Sequence, residues 1–333
     1  MNLLVSLGFC IVIALTFVAL FRRFRLSSIA GMMVGGIIAG LPVFRQAFIE
    51  PNEYVVLNLG YAGLLGLMFI AGMEVSWSVL SKEKKDAAVI GILASVTPFL
   101  LGFTAFLLLG FPLSVSLFVG IAMSITAEAT KAKVLVEMKK VKTKIGSLLL
   151  GVGIIDDLIG LSLFIAIGYL FSANIAVTEA VILSAALWSF FLGVLVHKEI
   201  GRYEKMVPEL EKILLYILSP FDLVSKGLYF STQSLILEPV LLLIVISLAV
   251  VGKMLGTWLT KPFTKLRANQ LYLIGWGMNS RGAVELVLVF IAFNIGLIPV
   301  NVYSSLIVMA VVTTLAFPLF FTRAVRRNPR IMN

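Results

Sequence analysis

The chain has 333 residues, 60% hydrophobic and 13% charged, with 27 Lys and Arg against 17 Asp and Glu for a formal net charge of +10. That composition, with a mean hydropathy of +1.07, excludes an ordinary soluble globular domain. Cys10 is the single cysteine, which excludes an internal disulfide and leaves no basis for a thiol metal site.

Apolar runs of about 20 residues, the length that crosses a bilayer core as a helix, recur along the whole chain. They fall at roughly 2–21, 27–41, 54–76, 87–110, 112–138, 144–171, 177–197, 210–236, 238–260, 269–295 and 300–322, eleven in all. The prediction is an all-α polytopic membrane protein with about 11 transmembrane helices. The first run lacks a basic leading region and a small-residue cleavage site, so it reads as a retained helix and not as a signal peptide.

Lys and Arg cluster in alternate loops: "RRFR" at 22–25, "KEKK" at 82–85, "KKVKTK" at 139–144, the stretch from Lys198 to Lys212, Lys261 to Arg267, and "RAVRRNPR" at 323–330. The intervening loops hold Arg45 and little else basic, while Glu50, Glu53, Glu179 and Glu238 fall there. Basic residues stay on the cytoplasmic side, so the pattern predicts an external N-terminus and a cytoplasmic C-terminus. The positive balance is therefore a matter of topology, and nucleic acid is not an expected partner.

A weak internal symmetry organises the rest. An apolar helix (87–110), an interrupted one (112–138) and a charged one (144–171) are matched by a helix bearing Lys253 (238–260), an interrupted one (269–295) and a last one (300–322). The loop charges start the first triplet inside and the second outside, the arrangement of inverted-repeat transporters. Both interrupted segments hold polar residues at mid-membrane: "SITAEATKAK" (124–133) carries Ser124, Thr126, Glu128 and Thr130, and "GWGMNSRGAVEL" (275–286) carries Asn279, Ser280, Arg281 and Glu285. Such residues suit backbone that has left helical geometry and lines a cavity. Ordinary helices with polar packing contacts are the alternative.

"GVGIIDDLIGLSLF" (151–164) places Asp156 and Asp157 side by side in an otherwise apolar run. With Glu128, Lys253, Arg281 and Glu285 they form six charges, each near the middle of its own helix. Intramembrane charges are tolerated when they pair and face a protein interior or aqueous cavity. Six at one level imply a shared buried site for a proton or a small hard cation, with individual structural ion pairs as the alternative. Neighbours on a helix stand about 100° apart, so one aspartate can line the cavity while the other turns to a fixed partner, for which Lys253 is the candidate.

In order and spacing, "LGYAGLLGLMFIAGMEVS", "TAEATKAKVLVEMKKVKTKIGSLLLGVGIIDDLIGL", "VVGKMLGTWL" and "GMNSRGAVELVL" make the chain resemble the monovalent cation:proton antiporters, in the bacterial and archaeal Na+/H+ and K+/H+ branch with paired aspartates. The resemblance implies a secondary active transporter, not an enzyme, with no cofactor beyond the transported Na+ or K+ and H+. It implies Asp157 as main cation ligand and proton carrier, Asp156 as second ligand ion-paired to Lys253, and Ser124, Thr126 and Thr130 as neutral oxygen ligands. Two broken, crossing helices would lie beside the site. A moving core of residues 85–172 and 237–333 would work by alternating access against a scaffold of residues 1–84 and 173–236. Paired aspartates go with electrogenic exchange, a homodimer is the usual assembly, and a prokaryotic cell membrane is the expected location.

The chain departs from that pattern in three places. Glu128 stands where relatives carry a small or hydroxyl residue, read either as a charge stabilised by positive half-helix ends or as a cation ligand. "PFDLVSKGL" (220–228) installs Asp222 and Lys226 four residues apart, read as a self-neutralising pair or as a second functional pair. Between His197 and Lys212, where relatives carry about two more scaffold helices, stands a charged loop. Two other readings remain: a sodium-coupled solute carrier, which wants a wider and more neutral cavity, and a non-transporting regulator, which has no need of Asp156, Asp157 and Lys253.

Overall fold

The computed structural model of the protein describes residues 2–24, 28–74, 84–141, 143–170, 177–200 and 213–332. Its helices are α1 (Leu3–Arg23), α2 (Ser28–Ala39), α3 (Glu53–Glu74), α4 (Lys84–Leu108), α5 (Leu113–Ser124), α6 (Glu128–Glu137), α7 (Lys144–Leu170), α8 (Val177–Ile200), α9 (Ser219–Leu228), α10 (Thr232–Leu237), α11 (Pro239–Trp258), α12 (Ala268–Gly277), α13 (Ala283–Asn294) and α14 (Val300–Arg327). Among the described residues, six helical stretches are long and apolar enough to cross a membrane. They are Leu3–Arg23, Pro42–Ile70, Lys85–Leu108, Lys144–Ile167, Pro239–Trp258 and Val300–Arg327. The polar stretch 201–212 and the side chains of Glu74, Glu128 and His197 lie outside the described residues.

The helix boundaries follow local chemistry. Pro112 and Pro299 occupy the N-cap positions of α5 and α14, and Pro239 opens α11, positions where a missing N–H costs nothing. Gly110 (φ 83°) and Gly296 (φ 72°) sit in the left-handed region just after α4 and α13. There Phe111 N donates to Phe106 O (3.0 Å) and Leu297 N to Ala292 O (2.9 Å). Both are Schellman caps, in which a residue without a Cβ turns the chain back over the last carbonyls. In the first triplet the place after α6, which corresponds to that of Gly296 after α13, is taken by Lys139 (φ 55°), with Lys140 N donating to Leu135 O at 2.8 Å.

The chain divides into two compact units, residues 1–75 with 177–232 and residues 76–176 with 233–333. In the first, α3 packs along α8, α1 along α2, and α9 against α1, α2 and α3. All ten residues of α9 are buried, including Ser219, Asp222, Ser225 and Lys226. Its close approach to α2 needs Gly227, where a methyl group would lie 2.0 Å from the carbonyl carbon of Gly36. The apolar run 210–236 is not one helix: α9 stops at Leu228, α10 starts at Thr232, and a π-helical turn, Leu214–Leu218, precedes α9.

The second unit holds both triplets, α4–α5/α6–α7 and α11–α12/α13–α14. Helices α4 and α11 pack against one another and α4 also contacts α5 and α7. One apolar cluster draws on both repeats, with Ile90 and Ala94 of α4, Leu148 and Val152 of α7, Leu273 and Ile274 of α12, and Phe317 and Phe321 of α14. Both interrupted segments break: α5 and α6 flank residues 125–127, and α12 and α13 flank residues 278–282.

Candidate functional site

The two breaks meet inside the second unit. Ile125 (φ −79°, ψ 149°) and Ala127 (φ −88°, ψ 116°) are extended. The N–H of Ala127 donates to Ser280 O at 2.9 Å, Ser280 Oγ donates to Ala127 O at 3.1 Å, and Thr126 Oγ1 donates to Met278 O at 3.3 Å. The second break is fixed from behind by Thr314 of α14. Its Oγ1 accepts from Arg281 N at 3.0 Å and donates to Arg281 O at 3.0 Å.

A helix that stops in the middle of a bundle leaves its last carbonyls without intrahelical donors. At the end of α5 two cations supply them. Arg281 Nη1 donates to Ala122 O (2.9 Å) and to Ile125 O, Arg281 Nη2 donates to Met123 O (3.0 Å), and Lys253 Nζ donates to Ser124 O. Positive groups also suit the negative end of the helix dipole. The unwound segment is thus held from two sides by buried cations of the opposite repeat.

Lys253 makes a second contact, 2.8 Å from Asp156 Oδ1, with both side chains at 0% exposure. Ser95 Oγ of α4 lies 2.5 Å from the same oxygen. Glycines bring α11 close enough to α4 for this: a methyl at Gly256 would lie 2.5 Å from Leu93 O, and one at Gly252 would lie 2.7 Å from Pro98 Cβ. Asp156 Oδ2 is buried and accepts no hydrogen bond among the described residues. Asp157, also buried, follows on α7 and faces a different direction around the helix.

Other oxygens surround the crossing. Ser124 Oγ and Asn279 Oδ1 are buried with no hydrogen-bond partner among the described residues, and Thr126 and Thr130 are buried. Glu285 Oε2 lies 3.7 Å from Arg281 Nε, both groups buried. Glu128 opens α6 beside the break. Asp222 and Lys226 belong to the first unit, where they form a buried i,i+4 ion pair. Three residues here escape sequence reasoning: Ser95, Thr314 and Lys131, the last fully buried with Nζ 3.9 Å from Met278 Sδ. Buried acceptors without donors, next to a carboxylate doublet, make a set of hard oxygen ligands, suited to a proton or a small hard cation and costly to leave empty.

A family model described as "Sodium/hydrogen exchanger, transmembrane" matches residues 11–175 and 160–327. The chain belongs to the sodium/hydrogen exchanger family. Within that family it is 24% identical to a Na(+)/H(+) antiporter of Enterococcus hirae over 366 aligned positions, covering 92% of this chain and 94% of the relative. It is 24% identical to the Na(+)/H(+) antiporter NhaS4 of Synechocystis over 392 positions, covering 94% of each. Both alignments run longer than the whole 333-residue chain, so these exchangers carry internal residues with no counterpart here. The structure of the sodium proton antiporter MjNhaP1 from Methanocaldococcus jannaschii superposes with a TM-score of 0.66 at 16% identity, covering 98% of each chain. That likeness establishes the sodium/proton antiporter fold.

Proposed function

We propose that the protein is a secondary active antiporter that exchanges a monovalent cation, Na+ in preference to K+, for protons by alternating access. The observation that carries this reading is Asp156. One of its carboxylate oxygens is held by Lys253 and Ser95, and the other is buried without a hydrogen bond among the described residues. A buried carboxylate oxygen left this way is costly unless a proton or cation completes its shell. Asp157 beside it is the carrier of the exchanged ion, with Ser124, Thr126 and Thr130 as neutral ligands. A cation arriving there competes with Lys253 for the carboxylate doublet.

On this reading the second unit is the moving core and the first unit the scaffold, in a cell membrane with the N-terminus outside and the C-terminus in the cytoplasm. A homodimer formed through the scaffold is the expected assembly. The test is purified protein in proteoliposomes with an imposed pH gradient, followed by fluorescence dequenching on addition of Na+, K+ or Li+. Wild type should dequench with Na+ and more weakly with K+, and Asp157→Asn should abolish the response. Undiminished exchange in that variant overturns the assignment.

A further inference from the structure

Each broken helix carries a buried neutral oxygen without a partner. Ser124 ends α5 and Asn279 lies in the second break, both at 0% exposure. Neither Ser124 Oγ nor Asn279 Oδ1 makes a hydrogen bond among the described residues. A polar atom buried this way is costly unless something completes its shell.

The orientation of the Asn279 amide is fixed by its other end. Nδ2 donates to Gly275 O, four residues back in α12, at 2.9 Å. Turning the amide over would set two acceptors against each other, so Oδ1 faces away from that carbonyl. The main chain on either side is fastened to the first break: Met278 O accepts from Thr126 Oγ1 (3.3 Å) and Ser280 O from Ala127 N (2.9 Å). Gly282 lets the two segments close up, since a methyl there would lie 2.6 Å from Ala127 Cβ. Asn279 is thereby held beside the stretch that carries Ser124 and Thr126, and the Ser124 carbonyl shares the Lys253 ammonium with Asp156.

We propose that the amide oxygen of Asn279 is a ligand of the transported cation, supplied by the second repeat, and that it favours a metal ion over a proton. The inference rests on the antiport reading above and adds a residue to it. A carboxylate accepts either a proton or a hard cation. An amide oxygen coordinates a hard cation equally well in kind, but it takes up no proton in the physiological range. Its contribution therefore falls on one side of the exchange only: it tightens cation binding and leaves protonation of the aspartates as it was.

Asn279→Ser keeps a donor for Gly275 O, the back-bond that serine makes to the carbonyl four residues earlier, and lacks the amide oxygen. Asn279→Leu lacks both. Dequenching in proteoliposomes against Na+ concentration gives the apparent KM, and Na+-induced thermal stabilisation in detergent gives binding without transport. Asn279→Ser should raise the KM and the stabilising Na+ concentration on the order of tenfold. Protons compete for the carboxylates, so KM rises as pH falls; the variant's curve should lie above that of wild type by one factor throughout, bending at the same pH. Asn279→Leu should match it in Na+ affinity and melt lower. Should Asn279→Ser fold poorly, Asn279→Thr carries the same expectation. A serine variant with wild-type KM and stabilising concentration overturns the proposal, whatever the leucine variant does, and so does a bend that moves along with KM. Failure of the antiport reading shows separately, as wild-type protein without cation-dependent dequenching. The detergent measurement then still decides the ligand, and a wild type that Na+ does not stabilise overturns it.

Discussion

The hydroxyl of Ser95 stands 2.5 Å from Asp156 Oδ1 and 2.6 Å from the carbonyl oxygen of Gly91, with one proton to give. The ionised carboxylate is the stronger acceptor, and a hydrogen bond to a charged group contributes about 1.5–3 kcal/mol. Ser95→Ala should therefore lower the melting temperature of the detergent-solubilised protein and slow exchange at limiting cation. An unchanged melting curve would assign the proton to Gly91 instead.

Arg281 is held by more than Glu285, since its guanidinium also serves three carbonyls at the end of α5. Arg281→Met should cost about 3–5 kcal/mol, because it leaves a buried carboxylate without its cation. Adding Glu285→Gln should restore part of that loss but not all, since the carbonyls of Ala122, Met123 and Ile125 stay uncapped. A thermal double-mutant cycle reads the two contributions apart, and full restoration would show that capping contributes nothing.

The Asp222–Lys226 pair offers a contrast, because it lies on a helix whose ten residues are all buried. Removing one partner should destabilise by about 3–5 kcal/mol, whereas Asp222→Met with Lys226→Met should be close to neutral. Exchange should survive the double change, as it should survive Asp222→Lys with Lys226→Asp. Loss of transport in well-folded protein of either double variant would give this pair a part in the transport cycle.

Gly256→Val tests the seat of Lys253. The new side chain would meet Leu93 O from a Cβ only 2.5 Å away, and such overpacking typically costs about 1–3 kcal/mol. Pushing α11 off α4 also separates Lys253 from Asp156, so exchange should fall by more than stability alone explains. Gly8→Ala, with nothing within 4 Å of the added methyl, is the matched control and should behave as wild type.

Much of the fold was legible because membrane helices are long and uniformly apolar. The positions of both breaks were legible too, since polar residues at mid-membrane have few other uses. Lys131 was not, because "KAK" reads as the start of the basic loop at 139–144. Yet Lys131 precedes Lys139 by eight residues, about 12 Å of helix, a distance that argues against a loop role. Ser95 carries no signal at all, being one hydroxyl in an apolar helix whose importance comes only from what faces it. The interruption after Leu228 was hidden by the apolar character of both sides, although Gly227 and the polar run Ser231–Thr232–Gln233 mark the place.

A single ammonium, that of Lys253, both neutralises Asp156 and closes the end of α5 through the Ser124 carbonyl. Both contacts are made by the same group. On the antiport reading, a cation that draws this lysine from its aspartate also loosens its hold on the Ser124 carbonyl, which would tie occupancy of the carboxylates to the main chain at the crossing.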